Sequence, residues 1–300
     1  MSKPKPRFAW VDGNMIPLKD ATIPLLTHSL HYGSAVFEGI RFYNTPNGPA
    51  IFRLSEHVDR LLLSARVLSM PVKYSKTALI HAIVATVKKN KLPAGYIRPI
   101  IYFGEKMGLN PTGAPLHTAI AAWPWGSYLG DKPVSVKTSS YIRIHPDSVE
   151  TKAKVSGYYV NSIYATLEAH KHGFHEALLL DHNRNVAEGP GENIFMVKRG
   201  KLYTPPLGTI LPGITRSTIM TLARELKIPV TEKILKLRDL KSADELFFCG
   251  TAAEVTSIGK LDAKKFTKAP GPLTSRIRSL YLNVVHGKIP RHTNWLMVVR

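Results

Sequence analysis

A segment dense in proline, glycine and aromatic rings, Pro124-Trp125-Gly126-Ser127-Tyr128-Leu129-Gly130-Asp131-Lys132-Pro133, cuts the chain into two parts. Each part carries its own strand-like and helix-like patterns. Proline removes a backbone donor and glycine weakens either regular structure, so such a segment reads as a linker between compact bodies. At 300 residues there is enough chain for about two hydrophobic cores. The expected organisation is a small N-terminal α/β domain over residues 1–123, an interdomain loop over 124–133, and a larger C-terminal domain over 134–300.

Before the linker, residues 8–11 and 15–16 flank Asp12-Gly13-Asn14 as a β-hairpin flanks a tight turn. Residues 36–43 alternate bulky with small or polar side chains, which predicts one strand, and a Pro/Asn/Gly turn at 45–49 returns it into 50–53. Ser55 is placed to cap a helix in which Val58, Leu61, Leu62, Ala65 and Leu68 repeat at the helical period. A second helix is expected from about Ser75 to Lys91, ending before Pro93, and strands follow at 96–103 and 118–123. Beyond the linker the pattern gives strands at 134–139, 177–181 and 194–197. Helices are expected at about 157–172, 215–227 and 273–286. The fold class is α+β.

Composition narrows the function. A content of 44% hydrophobic and 21% charged residues is that of a globular protein, and no apolar run approaches the roughly 18 residues that span a bilayer. The basic start, Met1-Ser2-Lys3-Pro4-Lys5-Pro6-Arg7, lacks the apolar stretch of a secretory signal. A lone cysteine, Cys249, excludes an internal disulfide and a cysteine-based zinc site, and suits a cytoplasmic location. The net charge of +20 raises the alternative of a nucleic-acid-binding protein. The basic residues are spread along the chain, however, and no zinc-finger spacing or RNA-binding aromatic run accompanies them, so neither nucleic acid nor membrane is an expected partner.

The chemistry centres on Thr151-Lys152-Ala153-Lys154-Val155-Ser156-Gly157-Tyr158-Tyr159-Val160-Asn161, a lysine just ahead of a helix. An activated amine most often reacts with a carbonyl. Downstream stand Ala187-Glu188-Gly189-Pro190-Gly191-Glu192-Asn193, a glycine-rich turn with two carboxylates; Leu211-Pro212-Gly213-Ile214-Thr215-Arg216 at a helix start; and Gly250-Thr251-Ala252-Ala253-Glu254 after an apolar strand. Nucleophilic amine, carboxylate and two phosphate-type loops together ask for a cofactor with an aldehyde, a basic ring nitrogen and a phosphate, which describes pyridoxal 5′-phosphate. From the residues alone, Glu188 and Glu192 are equal candidates for the carboxylate, and Cys249 reads as a buried apolar side chain.

The segment His31-Tyr32-Gly33-Ser34-Ala35-Val36-Phe37-Glu38-Gly39-Ile40-Arg41, with the motifs at 211–216 and 250–254, closely resembles the branched-chain amino acid aminotransferases of the fold type IV pyridoxal-phosphate class. The likeness runs from the first hairpin to Trp295-Leu296. It implies a smaller α/β sandwich domain, a larger C-terminal pseudo-barrel domain that binds the cofactor, and amino transfer from leucine, isoleucine or valine to 2-oxoglutarate by a ping-pong route. By that resemblance Lys154 forms the Schiff base, Glu188 sits by the pyridine nitrogen and Tyr159 bonds the ring hydroxyl oxygen. Arg60, Ile214, Thr215 and Thr251 reach the phosphate. Phe37, Gly39, Tyr96, Arg98, Trp125, Tyr128, Thr251 and Ala252 surround the substrate, with Arg98 and Tyr128 holding glutamate's distal carboxylate. Tyr32 comes from a neighbouring subunit, which implies at least a homodimer and leaves a hexamer open. D-amino acid transaminase and aminodeoxychorismate lyase share the fold and cofactor and stand as alternatives. Tyr158 departs from the pattern, where relatives carry Asn or His, and the charge of +20 is not part of the pattern.

Overall fold

The computed structural model describes residues 6–126 and 128–300. The first five residues of the basic N-terminal stretch, and Ser127 of the linker, lie outside the described residues. By contacts the chain forms two compact units, which do not follow chain order. One takes in residues 6–126 together with Ala153–Tyr158 and Val284–Arg300; the other takes in 128–152 and Tyr159–Asn283.

The first unit is built on an eight-stranded sheet. In spatial order it runs Leu296–Val298, Gly48–Phe52, Ile40–Thr45, Gly95–Phe103, Leu116–Trp123, Phe8–Val11 and Asn14–Pro17, with Ala35–Phe37 also paired to Gly95–Phe103. The hairpin at Asp12-Gly13 turns through two positive φ angles, 46° and 100°, the geometry a tight hairpin requires. Alternate residues of Leu116–Trp123 are buried, so one face of the sheet lies on a core of Ile40, Phe42, Ile51, Val58, Ile83, Ile97 and Ile120. Helices Leu54–Val67 and Lys76–Asn90 supply Val58 and Ile83 from their buried faces. Ser75 caps the second of these by accepting the Ala78 N–H.

Two expectations need correction here. The run 36–43 is not one strand: it breaks at Glu38-Gly39 into Ala35–Phe37 and Ile40–Thr45, opposite Arg98-Pro99. The cause is long-range, because the Glu38 carboxylate turns inward to the buried Arg60 guanidinium and the Tyr96 hydroxyl fills the space where a Cβ of Gly39 would lie. Ser55 does not cap the first long helix either. That helix starts two residues earlier than such a cap would allow, after Arg53 in the left-handed region (φ 49°), with no side-chain cap.

The second unit carries the other eight-stranded sheet, in the order Val230–Glu232, Lys201–Thr204, Asn193–Lys198, Glu245–Gly250, Glu254–Leu261, Val134–Ile142 and Glu176–Leu180, with Lys264–Lys265 added to Glu254–Leu261. The strands from Lys201–Thr204 through Glu254–Leu261 meet antiparallel, whereas Val134–Ile142 lies parallel to both of its neighbours. Glu176–Leu180 and Glu245–Gly250 read as near-continuous buried runs, as strands covered on both faces do. Phe195 and Phe247 stack at 5.2 Å on neighbouring strands. The helix expected over 157–172 begins as a single 3-10 turn, Ser156–Tyr158, and continues as Tyr159–Lys171. The one over 215–227 is Ile214–Glu225. Among the described residues no helix is long and apolar enough to cross a membrane.

Helix Pro272–Val285 is capped from a distance. Buried Glu245 accepts the N–H groups of Leu273 (3.0 Å) and Thr274 (2.7 Å), setting a carboxylate at the positive end of the helix. A Cβ on Gly271 would stand 2.1 Å from the Glu245 carboxyl carbon, so glycine is required for that approach. Glu245→Ala should lower the unfolding free energy by about 1–3 kcal/mol. Urea titration at neutral pH checks this, and Gly271→Ala should move stability in the same direction.

Candidate active site

Lys154 belongs to the first unit because its neighbours do. Ala153 and Val155 are buried with Val36, Leu61, Ala65 and Ile101, and Val155 bridges Val36 as an added strand would. Period-two alternation then turns the Lys154 side chain away from that core. Its backbone is fixed at both polar groups: Lys154 N–H donates to Ser64 Oγ at 2.8 Å, and its carbonyl accepts from Phe37 N–H at 3.1 Å. Three residues on, Gly157 packs on Gly33, where a Cβ on Gly33 would meet Gly157 Cα at 2.7 Å. The Lys154 Nζ stands 5.0 Å from the centre of the Phe37 ring.

The same ring receives a second cation. The Arg98 guanidinium lies 4.6 Å from Phe37 and 5.5 Å from Tyr96, and its Nε is buried with no hydrogen-bond partner. Tyr96 meets Trp125 edge-on at 4.3 Å, and Trp125 stacks on Trp123. The Tyr96 hydroxyl lies 1.8 Å from where a Gly39 Cβ would stand. The first unit thus brings together Phe37, Gly39, Tyr96, Arg98, Trp125 and Lys154 as an aromatic wall with two cations.

Arg60 is buried and engaged by a carboxylate. Its Nε and Nη2 donate to Glu38 Oε1 and Oε2 at 2.6 and 2.9 Å, and His57 Nδ1 lies 2.7 Å from Glu38 Oε2. Since a carboxylate only accepts, the His57 proton sits on Nδ1. Burial alone would raise the Glu38 pKa, but the Arg60 charge and the His57 contact outweigh it and hold the carboxyl far below its usual range. Burial lowers the His57 pKa, aided by the Arg60 and Lys154 charges, against a raising pull from Glu38.

In the second unit the two candidate carboxylates separate clearly. Glu188 is buried and accepts from Arg143 Nε at 2.7 Å, from Asn193 Nδ2 at 3.0 Å and from Leu211 N–H at 3.2–3.3 Å. Glu192 turns back on its own loop, where it accepts from Gly191 N–H at 3.1 Å. Leu211 leads into Gly213, the N-cap of helix Ile214–Glu225, which has no side-chain cap and no acidic residue in its first turn. Ile214 and Thr215 open that helix. Thr251 and Ala252, both half-buried, form the turn from Glu245–Gly250 into Glu254–Leu261. Tyr159 is the first residue of its helix and half-buried.

Tyr32 and Tyr128 have exposed side chains, 39% and 47% accessible, and Tyr32 Oη accepts from Gly108 N–H. Four polar residues outside the expected set support the site. Arg41 donates to the carbonyls of Trp125 and Gly126, His57 and Glu38 hold Arg60, and Arg143 holds Glu188. Cys249 is fully buried and burial pushes its thiol pKa up strongly, as a packing residue requires. Among the described residues no group of His, Cys, Asp and Glu could hold a metal ion.

Comparison with known proteins places this geometry. The family described as Amino-transferase class IV matches residues 35–261. A branched-chain-amino-acid aminotransferase of Pseudomonas aeruginosa is 45% identical over 297 residues, which is 97% of each chain. The solved branched-chain aminotransferase of Thermoproteus uzoniensis with norvaline superposes with a TM-score of 0.95 at 40% identity, covering 98% of this chain and 99% of that one. That of Thermobaculum terrenum, in its PLP form, gives 0.94 at 34% identity over 99% and 100%. The fold and the sequence together define an enzyme of the class IV amino-transferases. Within that class the chain belongs to the branched-chain-amino-acid aminotransferase family.

The Glu38–His57–Arg60 cluster gives the stability a pH signature. His57 keeps a lowered pKa when folded, so below its ordinary 6.5 the unfolded chain binds a proton that the folded one refuses. Stability should fall as pH drops through that window, and His57→Gln should flatten this part of the slope. Glu38 adds a second loss below its ordinary 4.5, where only the unfolded carboxyl is protonated. At neutral pH Glu38→Gln should cost about 3–5 kcal/mol, because a buried arginine loses its counter-ion. Chemical denaturation of the three proteins across pH checks both slopes.

Proposed function

We propose that this protein transfers the amino group of L-leucine, L-isoleucine or L-valine to 2-oxoglutarate, yielding branched 2-oxo acids and L-glutamate, with pyridoxal 5′-phosphate as cofactor. The observation that carries the reading is the Phe37 ring with Lys154 Nζ at 5.0 Å and Arg98 at 4.6 Å. A site that accepts both a branched hydrocarbon and a glutamate needs an apolar wall with a cation at its edge. Phe37, Tyr96 and Trp125 are such a wall, and Arg98, whose Nε has no partner, is such a cation.

The chain's own groups fit the cofactor. Lys154 supplies the amine that holds its aldehyde. A buried carboxylate fixed by Arg143, Asn193 and Leu211 suits a protonated ring nitrogen, the role we assign to Glu188. The start of helix Ile214–Glu225, whose first turn carries no acidic residue, suits a phosphate, with Ile214, Thr215, Thr251 and Arg60 as its contacts. Tyr159 takes the ring hydroxyl oxygen. When bound, pyridoxal phosphate supplies an electron sink for the charge left when the substrate's α-proton departs.

With the cofactor bound, Lys154 Nζ would serve as the general base and acid that moves the substrate's α-proton, and 2-oxoglutarate would take up the amino group in the reverse half of the cycle. Arg98 and Tyr128 hold glutamate's distal carboxylate, beside an apolar surface that includes Gly39 and Ala252. The enzyme works in the cytoplasm as at least a homodimer, with Tyr32 serving the neighbouring subunit. Exposed Leu25, Leu26 and Leu30 beside Tyr32 support association there.

The visible spectrum of purified protein tests the reading. A cofactor band that L-leucine bleaches and 2-oxoglutarate restores is the expected result. A band bleached by a D-amino acid instead would overturn the substrate assignment, and no band after incubation with pyridoxal phosphate would overturn the whole. Lys154→Ala should melt as the parent does yet lose turnover by several orders of magnitude.

A further inference from the structure

Glu188 and the helix start at Gly213 are tied by one side chain. Asn193, 5% exposed, spends its Nδ2 on two acceptors: Glu188 Oε2 at 3.0 Å and the Leu211 carbonyl at 3.1 Å. Neither partner can donate, so the orientation of the amide is fixed. The Leu211 N–H returns to the Glu188 carboxylate at 3.2–3.3 Å, closing a ring of hydrogen bonds through Glu188, Asn193 and Leu211. The other end of the amide is held by shape, because a Cβ on Gly213 would stand 2.0 Å from Asn193 Oδ1. Asn193 is itself the first residue of a sheet strand, paired to Cys249, so the tie is rooted in the core.

We infer that Asn193 is a positioning residue that locks the carboxylate for the cofactor's ring nitrogen and the helix start for its phosphate into one rigid unit. This rests on the functional reading above. Buried hydrogen bonds convert a carboxylate on a glycine-rich turn and a proline-glycine loop into a preorganised pair. Once the tie is cut, each half of the cofactor would have to order its own part of the site.

Asn193→Asp keeps the shape and removes both donated hydrogens, while placing a second carboxylate against Glu188. Gly213→Ala changes no polar atom but drives a methyl group into the amide. Both variants should weaken pyridoxal 5′-phosphate binding by about 10- to 100-fold, the loss expected for a hydrogen bond to a charged group. The readout is the visible absorbance of apoprotein titrated with the cofactor, with a melting curve without cofactor to show that each variant is folded. Pyridoxal and inorganic phosphate, titrated separately, probe the two ends, and both should bind more weakly. Asn193→Ala guards against an effect of the new charge alone and should follow the same pattern. Wild-type affinity in the folded variants, or loss at one end with the other intact, would overturn the tie alone. Failure of the wild-type protein to bind pyridoxal phosphate would overturn the functional reading and this inference with it.

Discussion

In each unit a carboxylate of the candidate site is buried together with an arginine: Glu38 with Arg60, and Glu188 with Arg143. Taking an ion out of water costs several kcal/mol, and a single deep partner with good geometry is what offsets the loss. Glu38 has Arg60 and His57; Glu188 has Arg143, a side-chain amide and a backbone N–H. Much of the surrounding structure follows from these two requirements. The strand break at Glu38-Gly39 lets one carboxylate turn inward, and the Leu211 loop is drawn onto the other. Folding and site construction share the same contacts.

Much of the architecture was legible in the sequence. The α+β class, the first hairpin, the helix expected from about Ser75 and the strands either side of the linker follow from period-two and period-3.6 patterns that local burial enforces. The motifs at 31–41, 211–216 and 250–254 carried the family. What escaped was long-range. Alternation continues through Glu38-Gly39 in the sequence, so nothing local marks the break; its cause sits on the helix that carries His57 and Arg60. Ser55 has the right chemistry for a cap and the wrong position by two residues.

At the candidate site the sequence identified residue types better than partnerships. Glu188 and Glu192 look alike along the chain, and it is distant partners in space, Arg143 45 residues earlier and Leu211 23 residues later, that mark out Glu188. Asn193 stood inside a quoted motif without a role, because its acceptor at Leu211 is 18 residues away. Arg41 was likewise visible in the 31–41 motif, but its grip on the Trp125 and Gly126 carbonyls depends on a fold that brings two distant segments together.

The backbone at Lys154 is clamped on both sides, by Ser64 at the amide and Phe37 at the carbonyl, between two buried neighbours. Whatever happens at Nζ therefore leaves the main chain where it is. Travel of the amine has to come from torsions of its four-carbon stem, each crossing a low staggered barrier. In the proposed reaction Nζ would act as a tethered reagent on a fixed post, released and bound again without any refolding of the backbone beneath it.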